Sequence, residues 1–87
     1  MYLAPESGTV PLSTLPLGRA ATIAGISANA GKRAEHLISI GFVTGESVIP
    51  VFSSPAGDPT AYLLGGCVRV ALRRAEAKNI YVRVRSL

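Results

Sequence analysis

The stretch CVRVALRRAEAKNIYVRVR, residues 67–85, contains two runs in which apolar and polar side chains alternate. The apolar positions recur at every second residue: Val68, Val70 and Leu72 in the first run, and Ile80, Val82 and Val84 in the second. Because side chains alternate across a β-strand, each run predicts a strand with one buried face. Residues 74–78 between them predict one helical turn, which Asn79 would end in a left-handed conformation.

Three more strands are expected upstream of this stretch. Residues 19–26, 47–53 and 60–64 are short apolar or β-branched segments bounded by turn residues. Pro50 lacks an N–H, so the strand that contains it must lie at an edge or carry a bulge. Gly65 and Gly66 predict a hairpin turn into the strand that begins at Cys67.

A change of period marks a helix over residues 32–40. Ala34, Leu37, Ile38 and Gly41 recur at i, i+3, i+4 and i+7, which places them on one helical face. Gly41 suits the left-handed position just past a helix, and Phe42 suits the apolar contact that follows it.

Length and composition complete this interpretation. The chain has 87 residues, of which 48% are hydrophobic and 16% charged, a balance typical of a folded domain. Five short strands, tight turns and one inserted helix favour a small, strongly bent β-barrel whose closure removes exposed sheet edges. We expect residues 1–10 to be a flexible arm and residues 11–87 to form a single domain.

The sequence offers little for catalysis or for metal binding. Cys67 and His36 are the only cysteine and the only histidine, and no third residue is placed to orient them as a catalytic pair. Glu35 and His36 are adjacent, so on a helix they diverge and would bind only an adventitious ion shared with another molecule. We therefore expect neither an enzyme nor a cofactor nor an intrinsic metal site.

The absence of a Cys-rich framework, a signal peptide and a long apolar segment favours a cytoplasmic protein without membrane insertion.

Positive charge is concentrated near the C-terminus. The net charge is −1 over residues 1–64 and +5 over residues 65–87. The outward positions of the two alternating runs hold a basic set around one tyrosine: Arg69, Arg73, Tyr81, Arg83 and Arg85. If the two strands lie on one flank, this set would form a partner-binding surface. The same residues would suit a nucleic acid, and solvated arginines that cover the barrel are a third interpretation.

The order of turns along the chain resembles the FeoA family, ferrous iron transport protein A. Six segments carry the resemblance: PLSTLPLG (11–18), LISIGF (37–42), TGE (44–46), SPAGDP (54–59), VALRRAEA (70–77) and IYV (80–82). The resemblance covers residues 10–84 and implies an SH3-like barrel with an inserted helix. Most of the motif residues are interpreted as barrel architecture: Gly41, Phe42, Gly45, Pro55, Gly57, Asp58, Pro59 and Leu72.

The resemblance also implies a function. It indicates a non-enzymatic adaptor of ferrous iron uptake that docks on the cytosolic side of a FeoB-type transporter, either on its G-protein domain or at its membrane base. The expected contacts are Arg69, Arg73, Tyr81 and Arg83, together with the helix around Leu37. Two alternatives stay open: a small basic barrel that binds nucleic acid, and weak self-association. A peptide-binding module is disfavoured, because the chain has no Trp and only five aromatic residues.

Overall fold

The computed structural model describes residues 8–84 as a six-stranded antiparallel sheet with two helices. The strands are β1 (Val10–Pro11), β2 (Ala21–Ile26), β3 (Ser47–Ser53), β4 (Thr60–Leu64), β5 (Val68–Leu72) and β6 (Ile80–Val84). The helices are α1 (Arg33–Ile40) and the single-turn α2 (Arg74–Ala77), and short 3₁₀ turns span Leu12–Thr14 and Ala28–Ala30. The mainly β fold with one inserted helix and a C-terminal helical turn is therefore confirmed.

The strand order is β1-β6-β2-β3-β4-β5, with one more strand than the five expected. The additional strand is β1, whose Val10 pairs with Val82 of β6. A strand of two residues shows no period, so alternation in the sequence could not indicate it. Val10 thus belongs to the sheet, whereas residues 1–7 of the expected arm lie outside the described residues.

In the part of the chain that the structure describes, the hydrogen-bonded ladders do not run all the way around the barrel. No ladder joins β1 to β5 within residues 8–84, so these two strands are the ends of the hydrogen-bonded sheet. Register shifts between Ile23 and Gly25 and between Pro50 and Phe52 mark bulges, which bend strands. The bulge beside Pro50 is one of the two arrangements that its missing N–H predicts.

One apolar core is formed by the inner face of the sheet together with α1, α2 and the 3₁₀ turns. Ala34 and Leu37 are the buried residues of α1, and Ile38 packs against the core from the same face. Gly41 has φ +126°, and its N–H bonds to the carbonyl of Ile38 at 3.0 Å as the helix ends. Phe42 follows it and is fully buried, so the predicted end of the helix is confirmed.

Two local predictions are wrong. Val68 was expected to face inward but is 50% exposed, because it lies next to the hairpin turn at the free edge of the sheet. Asn79 does not adopt a left-handed conformation, since every positive φ within residues 8–84 belongs to glycine. Helix α2 ends instead through Lys78, whose φ of −63° is ordinary right-handed backbone.

Candidate partner-binding site

The exposed arginines of the two alternating strands do not lie side by side. Arg69 of β5 is paired with Leu63 of β4, and Arg83 of β6 is paired with Thr22 of β2. Three strands (β4, β3 and β2) separate β5 from β6 in the sheet. The condition for a single basic flank on neighbouring strands is therefore not met.

The other expected contact residues occupy different environments. Arg73 is exposed where β5 passes into α2, and Tyr81 is half-buried between β1 and β2, opposite Pro11 and Gly25. Leu37 is only 1% exposed and packs in the core, so its side chain presents no surface to a partner. The periodicity that predicted the helix already placed Leu37 on the apolar face. Arg85 lies outside the described residues.

The loop between β3 and β4 is held by hydrogen bonds of its motif residues. Gly57 has φ +84° and donates its N–H to the carbonyl of Ser54 at 2.8 Å. The Ser54 hydroxyl donates to the carbonyl of Asp58 at 2.8 Å. Asp58 Oδ1 accepts the backbone N–H of Arg74 at 2.9 Å, so the carboxylate ties this loop to the start of α2. These polar groups form hydrogen bonds within the fold, so they act in its structure rather than in ligand binding.

A small pocket lies beside this loop. It has a volume of about 260 Å³ and is lined by Leu15, Leu17, Thr60, Tyr62 and Arg74, among others. Burial raises the pKa of the Tyr62 hydroxyl above its ordinary value. A pocket of this size next to one cation suits a small polar group better than an extended ligand.

A larger concave surface, the basic cleft, lies where the start of α1 meets the end of α2. Its volume is about 630 Å³. The lining residues that carry polar or charged groups include Ser27, Asn29, Lys32, Arg33, Lys78 and Tyr81. The segments meet because the N–H of Ser27 donates to the carbonyl of Asn79 at 2.7 Å.

Sequence reasoning missed the basic cleft, because its cations come from distant parts of the chain. Lys32 and Arg33 begin the helix that the period predicts, and Lys78 ends the helical turn before β6. The doublet Lys32-Arg33 was the one available signal. That Lys78 lies near this doublet follows only from the adjacency of β2 and β6, which the sequence does not reveal.

The histidine, its neighbouring glutamate and the cysteine of the sequence analysis all lie at exposed positions. No group of three or more His, Cys, Asp or Glu side chains is arranged within residues 8–84 to hold a metal ion. Glu35 and His36 are both exposed on α1. Cys67 is an exposed free thiol in the turn before β5. Over the same residues, no helix has the length and apolar character required to cross a bilayer.

Several proteins of known structure are similar to this chain both in fold and in sequence. The FeoA-like protein of Clostridium acetobutylicum is 27% identical, with a TM-score of 0.82 over 94% of this chain and 93% of that one. Iron(II) transport protein A of Clostridium thermocellum is 36% identical, with a TM-score of 0.78 over 86% of this chain and 45% of that one.

The FeoA of Stenotrophomonas maltophilia, a prokaryotic SH3 domain protein in complex with zinc, is 39% identical, with a TM-score of 0.69 over 82% of this chain and 86% of that one. The SH3-like fold is thus confirmed.

A search of curated proteins returned no significant match. The family model described as the FeoA domain matches residues 10–84, nearly the full length of the chain. The chain therefore belongs to the FeoA domain family.

Proposed function

We propose that this chain is a cytoplasmic, non-catalytic accessory protein of a bacterial ferrous iron uptake system that docks on the cytosolic part of a FeoB-type transporter. The observation that carries the proposal is the match of the FeoA domain to residues 10–84. Similar proteins are described as an iron(II) transport protein and as an SH3 domain protein linked to ferrous iron transport. Ferrous iron is here the transported substrate.

The exposed cations of the barrel support docking. Arg69, Arg73 and Arg83 are exposed at three places on the barrel. Arginine is enriched at protein interfaces because its planar guanidinium makes directional bonds to carboxylates. We retain these three residues and Tyr81 as the proposed contacts, and we exclude Leu37 because it is buried.

Support of transporter assembly fits this surface better than direct activation of GTP hydrolysis. An activating arginine must reach the γ-phosphate from a loop. Arg69 and Arg83 instead lie within strands, and Arg73 lies at the junction of β5 and α2. The sheet holds the backbone at these positions, so these arginines are not carried by a flexible loop.

The test is a pull-down of the intact chain with the cytosolic G-protein domain of the transporter from the same cell, with and without GTP. We expect binding in at least one nucleotide state and unchanged GTP turnover. The double variant Arg69→Glu/Arg83→Glu and each of its single variants should weaken binding, and Arg19→Glu, one charge reversal in an exposed loop, is the control for the single variants. Full retention of binding by the double variant would remove these two arginines from the interface.

Binding to nucleic acid is the competing function, because cations and Tyr81 meet at the basic cleft. Such binding falls steeply with salt as counterions are released. Titration of a mixed-sequence oligonucleotide at two salt concentrations separates the two functions. An oligonucleotide that binds tightly at low salt, together with no capture of the transporter domain, would favour the nucleic-acid function.

A further inference from the structure

The basic cleft concentrates cations from two separate elements. Lys32 immediately precedes α1, Arg33 is the first residue of α1, and Lys78 immediately follows α2. All three line one concave surface whose described lining contains no carboxylate. A concave surface with charges of one sign strengthens the local potential and attracts ligands of the opposite sign.

Only one of these three cations has an acidic partner among residues 8–84. Arg33 Nη1 lies 3.4 Å from Glu76 Oε2, and the Arg33 side chain is 68% exposed. Lys32 and Lys78 form no ion pair within the described part of the chain. Within the described residues, the cleft therefore has two cations without an ion pair beside a third that is paired with a carboxylate at its rim, and Glu35 lines a neighbouring hollow together with Lys32.

The floor of the cleft is preformed. Ser27 is only 5% exposed, and its Oγ accepts the backbone N–H of Asn29 at 3.1 Å. The Asn79 amide donates to the carbonyl of Ala75 at 3.4 Å, and Tyr81 is held between its neighbouring strands. The backbone that carries the three cations therefore need not reorganise when an anionic ligand binds, and the conformational entropy lost is mainly that of their side chains.

We propose that the basic cleft binds an acidic segment of a protein partner, with Lys32, Arg33 and Lys78 facing Asp or Glu side chains. On the proposed function, which this inference deepens, that segment belongs to the cytosolic part of the transporter. The observations favour a peptide over a nucleic acid. Three cations in one compact cleft match a few carboxylates, whereas a phosphate backbone requires a longer basic track with exposed aromatic platforms. Tyr81 is half-buried, and Arg69 lies at the far edge of the sheet.

The first experiment measures fluorescence anisotropy of a fluorescein-labelled peptide of alternating Glu and Gly, titrated with the intact protein. Lys32→Glu/Lys78→Glu should weaken binding about tenfold, because each reversal removes one favourable ion pair and adds a repulsion. Arg19→Glu, in an exposed loop outside the cleft and among no proposed contacts, reverses one charge, as Lys32→Glu and Lys78→Glu each do alone, and should alter affinity less than about twofold. Circular dichroism checks that each variant is folded. Equal loss in Arg19→Glu and in the single cleft variants Lys32→Glu and Lys78→Glu would overturn the proposal, because net charge alone would then explain the binding.

A second variant acts in the opposite direction. Glu76→Gln removes the carboxylate that competes for Arg33, so it should tighten peptide binding about threefold. Glu46→Gln, the same charge change beside the hairpin turn of Gly65, should have a smaller effect. No difference between the two variants would count against a role for Arg33.

The remaining measurements separate this proposal from the proposed function. A mixed-sequence oligonucleotide that binds the cleft more tightly than the peptide would overturn the proposal in favour of nucleic acid. If the peptide binds the cleft but the transporter domain does not bind the protein, the cleft stands and the assignment to that transporter fails. If the transporter domain binds while Lys32→Glu/Lys78→Glu changes neither the affinity for the peptide nor that for the domain, the proposed function stands and the role of the basic cleft is refuted.

Discussion

Asp58 shows how one side chain of the β3–β4 loop stabilises a distant element. Its Oδ1 accepts the N–H of Arg74, the first residue of α2, at 2.9 Å. That N–H has no partner within the helix, so Asp58 caps α2 from another part of the chain. We expect Asp58→Ala to lower the free energy of unfolding by about 1 kcal/mol, as for loss of an N-cap.

Asp58→Asn is the matched control, because the amide oxygen still accepts the bond. The alanine variant should shift the melting temperature by about 4–8 °C, and the asparagine variant by less than half of that. Equal shifts would mean that the charge of Asp58, rather than the hydrogen bond, matters.

Gly41 combines a backbone requirement with a close approach. Its φ is +126°, and a Cβ there would lie 3.1 Å from Leu64 Cδ2 in the core. We expect Gly41→Ala to lower the free energy of unfolding by about 2 kcal/mol, through strain in the backbone and crowding of Leu64. Gly66→Ala is the comparison, because φ is +79° and nothing lies within 4 Å. Urea denaturation should show the larger loss at Gly41, and equal losses would mean that packing against Leu64 contributes nothing.

Tyr62 gives the fold an alkaline limit. Burial raises the pKa of its hydroxyl, so the folded state favours the neutral form more than the unfolded state does. The resulting stabilisation is fully present below the unfolded pKa of about 10 and is lost as the pH rises through the raised pKa. Urea denaturation at pH 8 and pH 11 should show this loss, and Tyr62→Phe should reduce it. An unchanged alkaline loss in that variant would assign the effect to other groups.

At the scale of elements, the single turn of α2 depends on Glu76. Its Oε1 accepts the backbone N–H of Arg73 at 3.3 Å, and its Oε2 lies 3.4 Å from Arg33 Nη1. The first contact caps the helix, whereas the second is an exposed ion pair that contributes little. Glu76→Ala should therefore cost about 1 kcal/mol and Glu76→Gln, whose amide oxygen can still accept the capping bond, clearly less. Thermal unfolding measures both, and equal losses would mean that the charge of Glu76 stabilises α2 more than the capping bond does.

Elements with a local sequence signal could be predicted, and features set by long-range strand pairing could not. Strands β3 and β4 begin and end where expected, and α1 begins one residue later than expected, because turn residues and a period define them. The sheet order could not be predicted, since β6 lies between β1 and β2 through pairings that leave no periodic mark. The basic cleft was missed for that reason, and the separation of Arg69 from Arg83 follows from the same order.

At the scale of the molecule, association with an acidic partner should depend on salt. The chain has a net charge of +4, and its exposed arginines lie at several places on the barrel. Screening at high ionic strength weakens attraction between exposed charges. Binding to the transporter domain should therefore weaken steadily as salt rises, with the change mainly in the association rate. Surface plasmon resonance at several salt concentrations measures this, and a salt-independent affinity would indicate an apolar interface.

The role of the whole domain then depends on whether it accelerates GTP hydrolysis. An arginine that completes a nucleotide site must be mobile enough to reach the γ-phosphate, and supplying one raises hydrolysis by about 10³–10⁵. Arg69 and Arg83 lie within strands, and Arg33 lies in α1, so none of these three arginines is carried by a flexible loop. We therefore expect turnover by the G-protein domain to stay within about twofold when this chain is added in excess, even while it binds. Phosphate release measured with and without the chain tests this. A rise of about a hundredfold or more, lost in one arginine variant, would replace assembly with activation as the role of the domain.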